Sequence, residues 1–160
     1  MQASEASKQD QTGERTRGEA IVFVGTFEHA LDGKGRVVLP SQFRNALAGR
    51  GILSKYEDCL GLWTVEGFEE VLKTLQGRVR AGEAPPNSIR ALTAQAAQVE
   101  PDTQGRILIP VKLREFAQLD RDVAIVGLGD RIEIWNTEKW GPESDLADES
   151  FIDVVKNLGL

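Results

Sequence analysis

The chain has 160 residues, of which 41% are hydrophobic and 28% charged, a composition typical of one ordinary soluble domain or of two half-domains sharing a core. Its apolar runs span only a few residues, so no segment could cross a membrane, and the single cysteine, Cys59, excludes an intrachain disulfide and a zinc site built mainly on cysteine. The net charge of -6 argues mildly against a nucleic-acid partner unless basic residues gather on one face. We expect a cytoplasmic protein, because a lone cysteine suits a reducing compartment.

The first half of the chain predicts alternating short strands and helices. Residues 1–19 are polar and aperiodic, and we expect them to form a disordered extension. The pattern then predicts, in chain order, a strand at 21–31, a turn at 32–35, a short strand at 37–39, a short helix after Pro40, strands at 52–56 and 59–63, and a helix capped by Thr64. The helical spacing of apolar residues after Pro40 indicates the buried face of that helix: Phe43, Ala46 and Leu47.

The second half is predicted to repeat this order after a linker at 82–91. It should contain a strand at 94–99, a turn at 102–105, a strand at 107–109, a helix after Pro110, strands at 123–126 and 131–135, and a helix capped by Asn136. Gly141 and Pro142 are expected to cut this last helix short. The acidic segment at 142–160 could form an amphipathic helix of its own.

One nine-residue pattern occurs twice, at 32–40 and at 102–110. Each copy has Asp, two variable residues, Gly, Arg, three aliphatic residues and Pro. A repeat of this kind indicates two copies of one supersecondary unit, at 20–81 and 92–141. Strands this short cannot bury a core alone, so we expect an α+β fold in which two pseudo-twofold related hairpin units close one small β-barrel.

Both copies of the pattern predict a tight turn held by its own side chains. An Asp that opens a turn accepts hydrogen bonds from backbone amides two residues on, and the Gly supplies a positive φ. The Arg that follows can pair with the Asp and close the turn. We therefore assign a structural role to four residues, which are Asp32, Gly35, Asp102 and Gly105.

The basic residues of the first turn favour a DNA-binding role. Arg36 on a two-stranded turn can reach a DNA groove and donate two hydrogen bonds to guanine O6 and N7, and Lys34 beside it can neutralise a phosphate. The equivalent residue in the second copy is Arg106. Arg44 and Arg114 occupy matched places on the short helices, where they could contact phosphates or form salt bridges between subunits.

No pattern in the chain points to catalysis, to a cofactor or to a metal site. Asp32 and Asp102 are not a convincing catalytic pair, because a nearby Arg would hold each of them ionised. His29 is the single histidine, which argues against a Ser-His-Asp triad and a His-rich metal site, and no phosphate loop of the Walker type is present. Trp63 and Trp135 end equivalent strands and are expected to anchor the core.

The doubled pattern, together with the Trp after each distal strand and Gly25-Thr26-Phe27 ahead of the first turn, resembles the MraZ family over residues 21–140. That family consists of bacterial transcriptional regulators built from two AbrB-like swapped-hairpin units. The resemblance implies a double-split β-barrel and a ring-shaped homo-oligomer associated with the nucleoid. It also implies a repressor of the division and cell-wall gene cluster, bound to short G-containing direct repeats upstream of its own operon.

The resemblance places the family's DNA-contacting arginine on Arg36, with Lys34 beside it. The second copy keeps Arg106 but has Gln104 where the first has Lys34. The resemblance therefore supports DNA contact by the second turn less well than by the first, and the second turn could serve mainly in packing or in contacts within the ring. The alternative is a protein-interaction module, antitoxin-like or a scaffold, that uses the same barrel without specific DNA binding. It would take a partner on the segment at 151–155.

Overall fold

The computed structural model describes residues 22–160, so the predicted N-terminal extension lies outside the described residues. The strands are β1 (Phe23–Ala30), β2 (Arg36–Val38), β3 (Gly51–Tyr56), β4 (Cys59–Trp63), β5 (Ala97–Val99), β6 (Arg106–Leu108), β7 (Asp122–Gly129) and β8 (Ile132–Asn136). The helices are α1 (Ser41–Leu47), α2 (Val65–Arg80), α3 (Asn87–Thr93), α4 (Val111–Phe116) and α5 (Thr137–Leu158). None of these described helices is long and apolar enough to cross a membrane.

The strands form two antiparallel sheets, which confirms the α+β class. Six strands pair in the order β1-β7-β8-β4-β3-β5, and β2 pairs with β6 in a separate two-stranded ribbon. No closed hydrogen-bonded barrel is found among the described residues. The inner residues of the ribbon, Val37 and Ile107, are nonetheless buried in the same apolar cluster as the inward side chains of the larger sheet.

The two repeats are interleaved rather than placed side by side. β1 of the first repeat pairs along its whole length with β7 of the second, and β5 of the second repeat pairs with β3 of the first. The first strand of each repeat thus pairs with the third strand of the other repeat, at the two edges of the six-stranded sheet. A pseudo-twofold axis that relates the repeats requires this arrangement. Each repeat depends on the other for backbone hydrogen bonds and for its core.

The ribbon holds the two repeated patterns against each other. The Leu39 N–H donates to the Gly105 carbonyl and the Ile109 N–H to the Gly35 carbonyl, both at 2.9 Å. Leu39 and Ile109 are fully buried. The pairing therefore ties the end of each short strand to the turn of the opposite repeat.

The predicted caps and core anchors are confirmed. The Thr64 hydroxyl accepts a hydrogen bond from the Gly67 N–H at 2.9 Å, and the Asn136 side chain accepts one from the Glu138 N–H at 2.8 Å. These bonds satisfy amides that have no partner within the first turn of a helix. The three residues predicted for the inner face of α1 are buried, as are the two strand-ending tryptophans: Phe43, Ala46, Leu47, Trp63 and Trp135.

The structure differs from the expected linker, because a helix occupies much of it. α3 begins at Asn87, inside the range 82–91, and β5 begins only at Ala97 rather than at 94. Pro86 has a φ of -56°, which already suits the start of a helix, and Ser54 donates a hydrogen bond to the Leu92 carbonyl. The linker proper is thus restricted to the residues before α3.

The prediction that Gly141 and Pro142 end the last helix is wrong, because α5 continues to Leu158. A residue before proline usually avoids helical angles because its Cβ clashes with the proline ring, and Gly141 has no Cβ. Pro142 has no N–H, so α5 lacks the bond to the Glu138 carbonyl at this point and nevertheless continues beyond it. The acidic segment at 142–160 is therefore mostly the continuation of α5.

A glycine-to-alanine substitution in β7 should destabilise the interleaved sheet. A Cβ on Gly127 would lie closer than 3 Å to backbone atoms of Phe23 and Val24 in β1, which cannot move without breaking the strand pair. We expect Gly127→Ala to lower the free energy of unfolding by about 1–3 kcal/mol, measured by urea denaturation.

The matched control is Gly77→Ala in α2, where the nearest atom to a new Cβ is the end of Arg80 at 3.9 Å. That change should raise the free energy of unfolding by about 0.5–1 kcal/mol, because alanine favours helix. If Gly127→Ala were as stable as the wild type, the described contact between β1 and β7 would be contradicted.

Candidate nucleic-acid interface

The first turn, at residues 32–35, is held by one carboxylate. Asp32 Oδ1 accepts hydrogen bonds from the Lys34 and Arg36 backbone N–H groups, both at 2.9 Å. Asp32 Oδ2 accepts a hydrogen bond from Arg36 Nε at 2.7 Å. Gly35 has a φ of +82°, a conformation in which a side chain would be strained. The turn and the orientation of Arg36 are thus fixed together.

The second turn, at residues 102–105, has the same geometry. Asp102 accepts from the Gln104 and Arg106 N–H groups at 2.9 Å and from Arg106 Nε at 2.8 Å. Gly105 has a φ of +79°. The two turns differ at both exposed positions between Asp and Gly, which are Gly33 and Lys34 in one and Thr103 and Gln104 in the other, so only the first carries a charge there.

The hydrogen bonds keep both turn carboxylates ionised. The pKa of Asp32 is lowered from 3.8 to about 2, chiefly by the hydrogen bond from the Arg36 backbone N–H, with further contributions from the Arg36 side chain and the Lys34 N–H that outweigh desolvation. The pKa of Asp102 is lowered by the equivalent bonds from Arg106 and Gln104. Each Arg therefore faces a permanent negative charge at neutral pH.

Arg36 keeps most of its hydrogen-bonding capacity. A guanidinium has five N–H donors, and Asp32 takes only the one on Nε. Within residues 22–160, the terminal nitrogens of Arg36 have no hydrogen-bond or ion-pair partner. The side chain is 30% exposed, and that of Arg106 is 26% exposed. Both arginines present oriented donors to an external acceptor.

The outward surface of the β2–β6 ribbon carries these two arginines and two apolar residues. Side chains alternate along a strand, so burial of Val37 and Ile107 on one side places their neighbours on the other. We call this outer surface the ribbon face, and it consists of Arg36, Val38, Arg106 and Leu108. It combines positive charge with exposed apolar surface and lies directly between the two turns.

Arg44 and Arg114 have a role within the chain that sequence reasoning missed. Arg44 Nη1 donates to the Leu39 carbonyl at 2.7 Å, and Arg114 Nε donates to the Ile109 carbonyl at 2.9 Å. Each guanidinium also lies directly against the turn glycine of the other repeat, Arg44 against Gly105 and Arg114 against Gly35. Both side chains are half-buried, and they brace the two turns through the ribbon.

Burial removes other conspicuous residues from the surface. Trp63 and Trp135 are 1% and 4% exposed, so they cannot stack on a base without leaving the core. The Cys59 thiol is buried, and burial raises its pKa. His29 is half-buried in β1.

In the described part of the chain, no group of three or more His, Cys, Asp or Glu residues is arranged to hold a metal ion.

Replacing the turn carboxylate should cost stability in a pH-dependent way. A lowered pKa in the folded protein means that ionised Asp32 stabilises it above pH 3.8, and that this contribution is lost as the pH falls towards about 2. Asp32→Asn should therefore be less stable than the wild type at neutral pH, and the difference should shrink over that range in acid. Urea denaturation at a series of pH values measures it.

The matched variant is Asp102→Asn, which should change stability in the same direction, since its bonds are the same in kind. A difference between wild type and Asp32→Asn that stayed constant down to the lowest pH would contradict the role of the charge.

Comparisons with known proteins agree with the two-repeat organisation. A family model described as "MraZ protein, putative antitoxin-like" matches residues 22–83 and 92–158, the two repeats on either side of the linker. A protein named transcriptional regulator MraZ in Syntrophomonas wolfei is 34% identical over 86% of this chain and 96% of its own length. Proteins of that name in Symbiobacterium thermophilum and Acetivibrio thermocellus are 38% and 37% identical, covering 85% and 87% of this chain and 99% and 100% of their own lengths. The chain belongs to the MraZ family.

Proposed function

We propose that this protein, whose relatives are named transcriptional regulators, regulates transcription by binding DNA and that the first turn reads the DNA. The observation that carries the proposal is the orientation of Arg36. Asp32 fixes its Nε, while the donors on the terminal nitrogens have no partner within residues 22–160. A guanidinium held in this way loses little conformational entropy when it binds.

The terminal nitrogens of Arg36 match the acceptors of guanine. The major-groove edge of guanine presents O6 and N7, and a bidentate arginine is the commonest specific contact to them. A two-stranded ribbon is narrow enough to enter the major groove. Arg36 lies at the start of β2, next to the turn, and Lys34 is exposed on that turn where it can neutralise a phosphate.

We propose unequal roles for the two turns. Arg106 has the geometry of Arg36, but Gln104 brings no charge where the first turn has Lys34. The second turn should therefore bind phosphates more weakly. Arg44 acts mainly as a brace through its bond to the Leu39 carbonyl, and any phosphate contact would fall to its remaining donors.

The target genes and the DNA sequence that we propose follow from the family resemblance. We propose a repressor of the division and cell-wall gene cluster that acts in the cytoplasm, at the nucleoid, on short G-containing direct repeats upstream of its own operon. One turn makes few contacts, so a single copy should bind weakly. A ring of copies facing successive repeats would convert weak contacts into avidity.

We propose that the two sheets together form a double-split β-barrel. Its support is the shared core, since ribbon residues such as Leu39 and Ile109 pack in one cluster with residues of the six-stranded sheet such as Leu53, Ile125 and Ile134. Two half-barrels that share one core would explain why the repeats exchange their first strands.

α5 offers surface for the proposed ring. It carries exposed apolar side chains along its length, which are Leu146, Phe151, Ile152, Val154 and Leu158. The apolar stripe of α2 is also incompletely covered, because Phe68 is buried whereas Val71 and Leu72 are half-buried. Exposed apolar residues in this number are typical of a contact surface between proteins.

The same residues of α5 favour the alternative, a protein-interaction module without specific DNA binding. A gel shift with the region upstream of the gene, against scrambled DNA of equal composition, separates the two functions. Specific retardation supports the regulator. Equal retardation of both probes supports the interaction module.

Replacing the arginine of the first turn should abolish most of the specific binding. Arg36→Ala should weaken binding to the upstream region by about five- to 150-fold, because a good bidentate contact contributes roughly 1–3 kcal/mol of discrimination. Arg36→Lys keeps the charge without the planar fork and should also lose specificity. Fluorescence anisotropy measures both affinities.

The control variant is Arg80→Ala, which removes an exposed cation from the end of α2 and should leave specificity unchanged. Light scattering and circular dichroism must show that oligomer and fold are kept, since Arg36 also bonds Asp32. Wild-type affinity in a folded Arg36→Ala protein would refute the proposed reading mechanism.

A further inference from the structure

The ribbon face exposes apolar side chains where a solvated surface would carry polar ones. Leu108 is 54% exposed and Val38 is 37% exposed, and each is the last residue of its strand on the outer surface of the two-stranded ribbon. Neither contributes to the buried cluster beneath, which takes Val37 and Ile107 instead. Because these two apolar side chains lie next to two arginines, a partner bound on this face would contact both positive charge and apolar surface.

The strand register places Leu108 directly across from Arg36. The cross-strand hydrogen bonds join Ile109 to Gly35 on one side of this pair. Arg36 and Leu108 are therefore a non-hydrogen-bonded pair of an antiparallel ladder, the kind in which opposite side chains lie closest. Leu108 is therefore the cross-strand neighbour of Arg36 on the ribbon face.

The charge of the ribbon face decides which occupant fits. A second copy docked face to face would bring the arginines of both copies together, and the turn carboxylates Asp32 and Asp102 are already bonded to their own arginines, so it offers no free acceptor to the terminal nitrogens. The major groove of DNA instead offers guanine acceptors and, beside them, the C5-methyl of thymine, the apolar group on a base edge. It accepts a guanidinium and a leucine at neighbouring positions.

We propose that Leu108 contacts the C5-methyl group of a thymine next to the guanine read by Arg36. The inference rests on the proposed DNA-binding function and adds a specificity residue to it. Because the repeats are interleaved, Leu108 comes from the second repeat although it serves the turn of the first. The second repeat thus takes part in reading DNA through Leu108, whatever the contribution of Arg106.

The test compares two probes of the region upstream of the gene, one made with dTTP and the other with dUTP. Uracil differs from thymine in lacking the methyl group. Wild-type protein should bind the dUTP probe about three- to fivefold more weakly, the effect of one buried methyl group. Leu108→Ala should lose a similar factor on the dTTP probe and show no further loss on the dUTP probe.

Two variants control for fold and position. Leu108→Met keeps an apolar side chain of similar reach and should retain the preference for the dTTP probe. Val38→Ala shortens the exposed residue opposite Arg106 and should also retain it. Leu108 is exposed, so thermal melting should be unchanged in all three proteins.

The outcomes separate the inference from the function on which it rests. If Leu108→Ala kept the wild-type preference for the dTTP probe, or if Val38→Ala abolished that preference, the inference would be overturned. If the wild type bound both probes no better than scrambled DNA, the proposed function itself would fail. Loss of the preference in Leu108→Ala alone, with Arg36→Ala still weak on both probes, supports both.

Discussion

The pairing of β2 with β6 holds the two repeats in register. It joins the turn of each repeat to the strand end of the other through backbone hydrogen bonds at Gly35 and Gly105. Arg44 and Arg114 then lie across these glycines, which can have no side chain without displacing the guanidinium. The ribbon thereby sets the positions of both turn arginines relative to one rigid core.

The turn shows why a short pattern of Asp, Gly and Arg can serve fold and function together. The bonds that lower the pKa of Asp32 also hold Arg36 by a single nitrogen. The carboxylate stabilises the turn and leaves the terminal nitrogens of Arg36 without a partner in the described part of the chain, as the proposed contact with DNA requires. An acidic protein can bind DNA in this way, because its oriented cations are local while its net charge is spread over the whole chain.

Much of this fold was predictable because its signals are local. The doubled pattern, the paired strands and the caps at Thr64 and Asn136 each depend on residues close in sequence. Strand exchange between repeats was not predictable from these patterns, since pairing of β1 with β7 joins residues far apart in the chain. The continuation of α5 past Pro142 depends on the missing Cβ of Gly141. A sequence pattern does not show this, because glycine is ordinarily taken as a sign that a helix ends.

The candidate site was predictable only in part. Arg36 and Lys34 stand out because the pattern places them on a turn, whereas Leu108 belongs to a strand whose exposed side shows only once the register is known. The bracing role of Arg44 required the packing against Gly105. Features of this kind arise from contacts between the repeats, so inspection of one repeat cannot find them.

The two repeats share a backbone but differ in their side chains at matched positions. At the centre of the β4–β8 pair, Gly61 lies against the Trp63 ring, whereas the opposite Glu133 is buried and accepts a hydrogen bond from Trp135 Nε1 at 2.9 Å. On the surface, Lys34 in one turn corresponds to Gln104 in the other. The scaffold is symmetric but its surfaces are unequal, because of the two turns the first alone has a lysine beside its arginine and a leucine across from that arginine. We propose that this turn is the one that reads DNA.

Exchanging Lys34 and Gln104 between the turns separates their roles. The salt dependence of binding to the upstream region should be measured for Lys34→Gln, and for the double variant that adds Gln104→Lys. The slope of log affinity against log salt should fall by about one per bound subunit in the single variant. We expect the double variant to remain weaker than the wild type, because Arg106 has Val38 across from it where Arg36 has Leu108. Full recovery of affinity would show that the two turns are interchangeable and would contradict the proposed reading of DNA by the first turn.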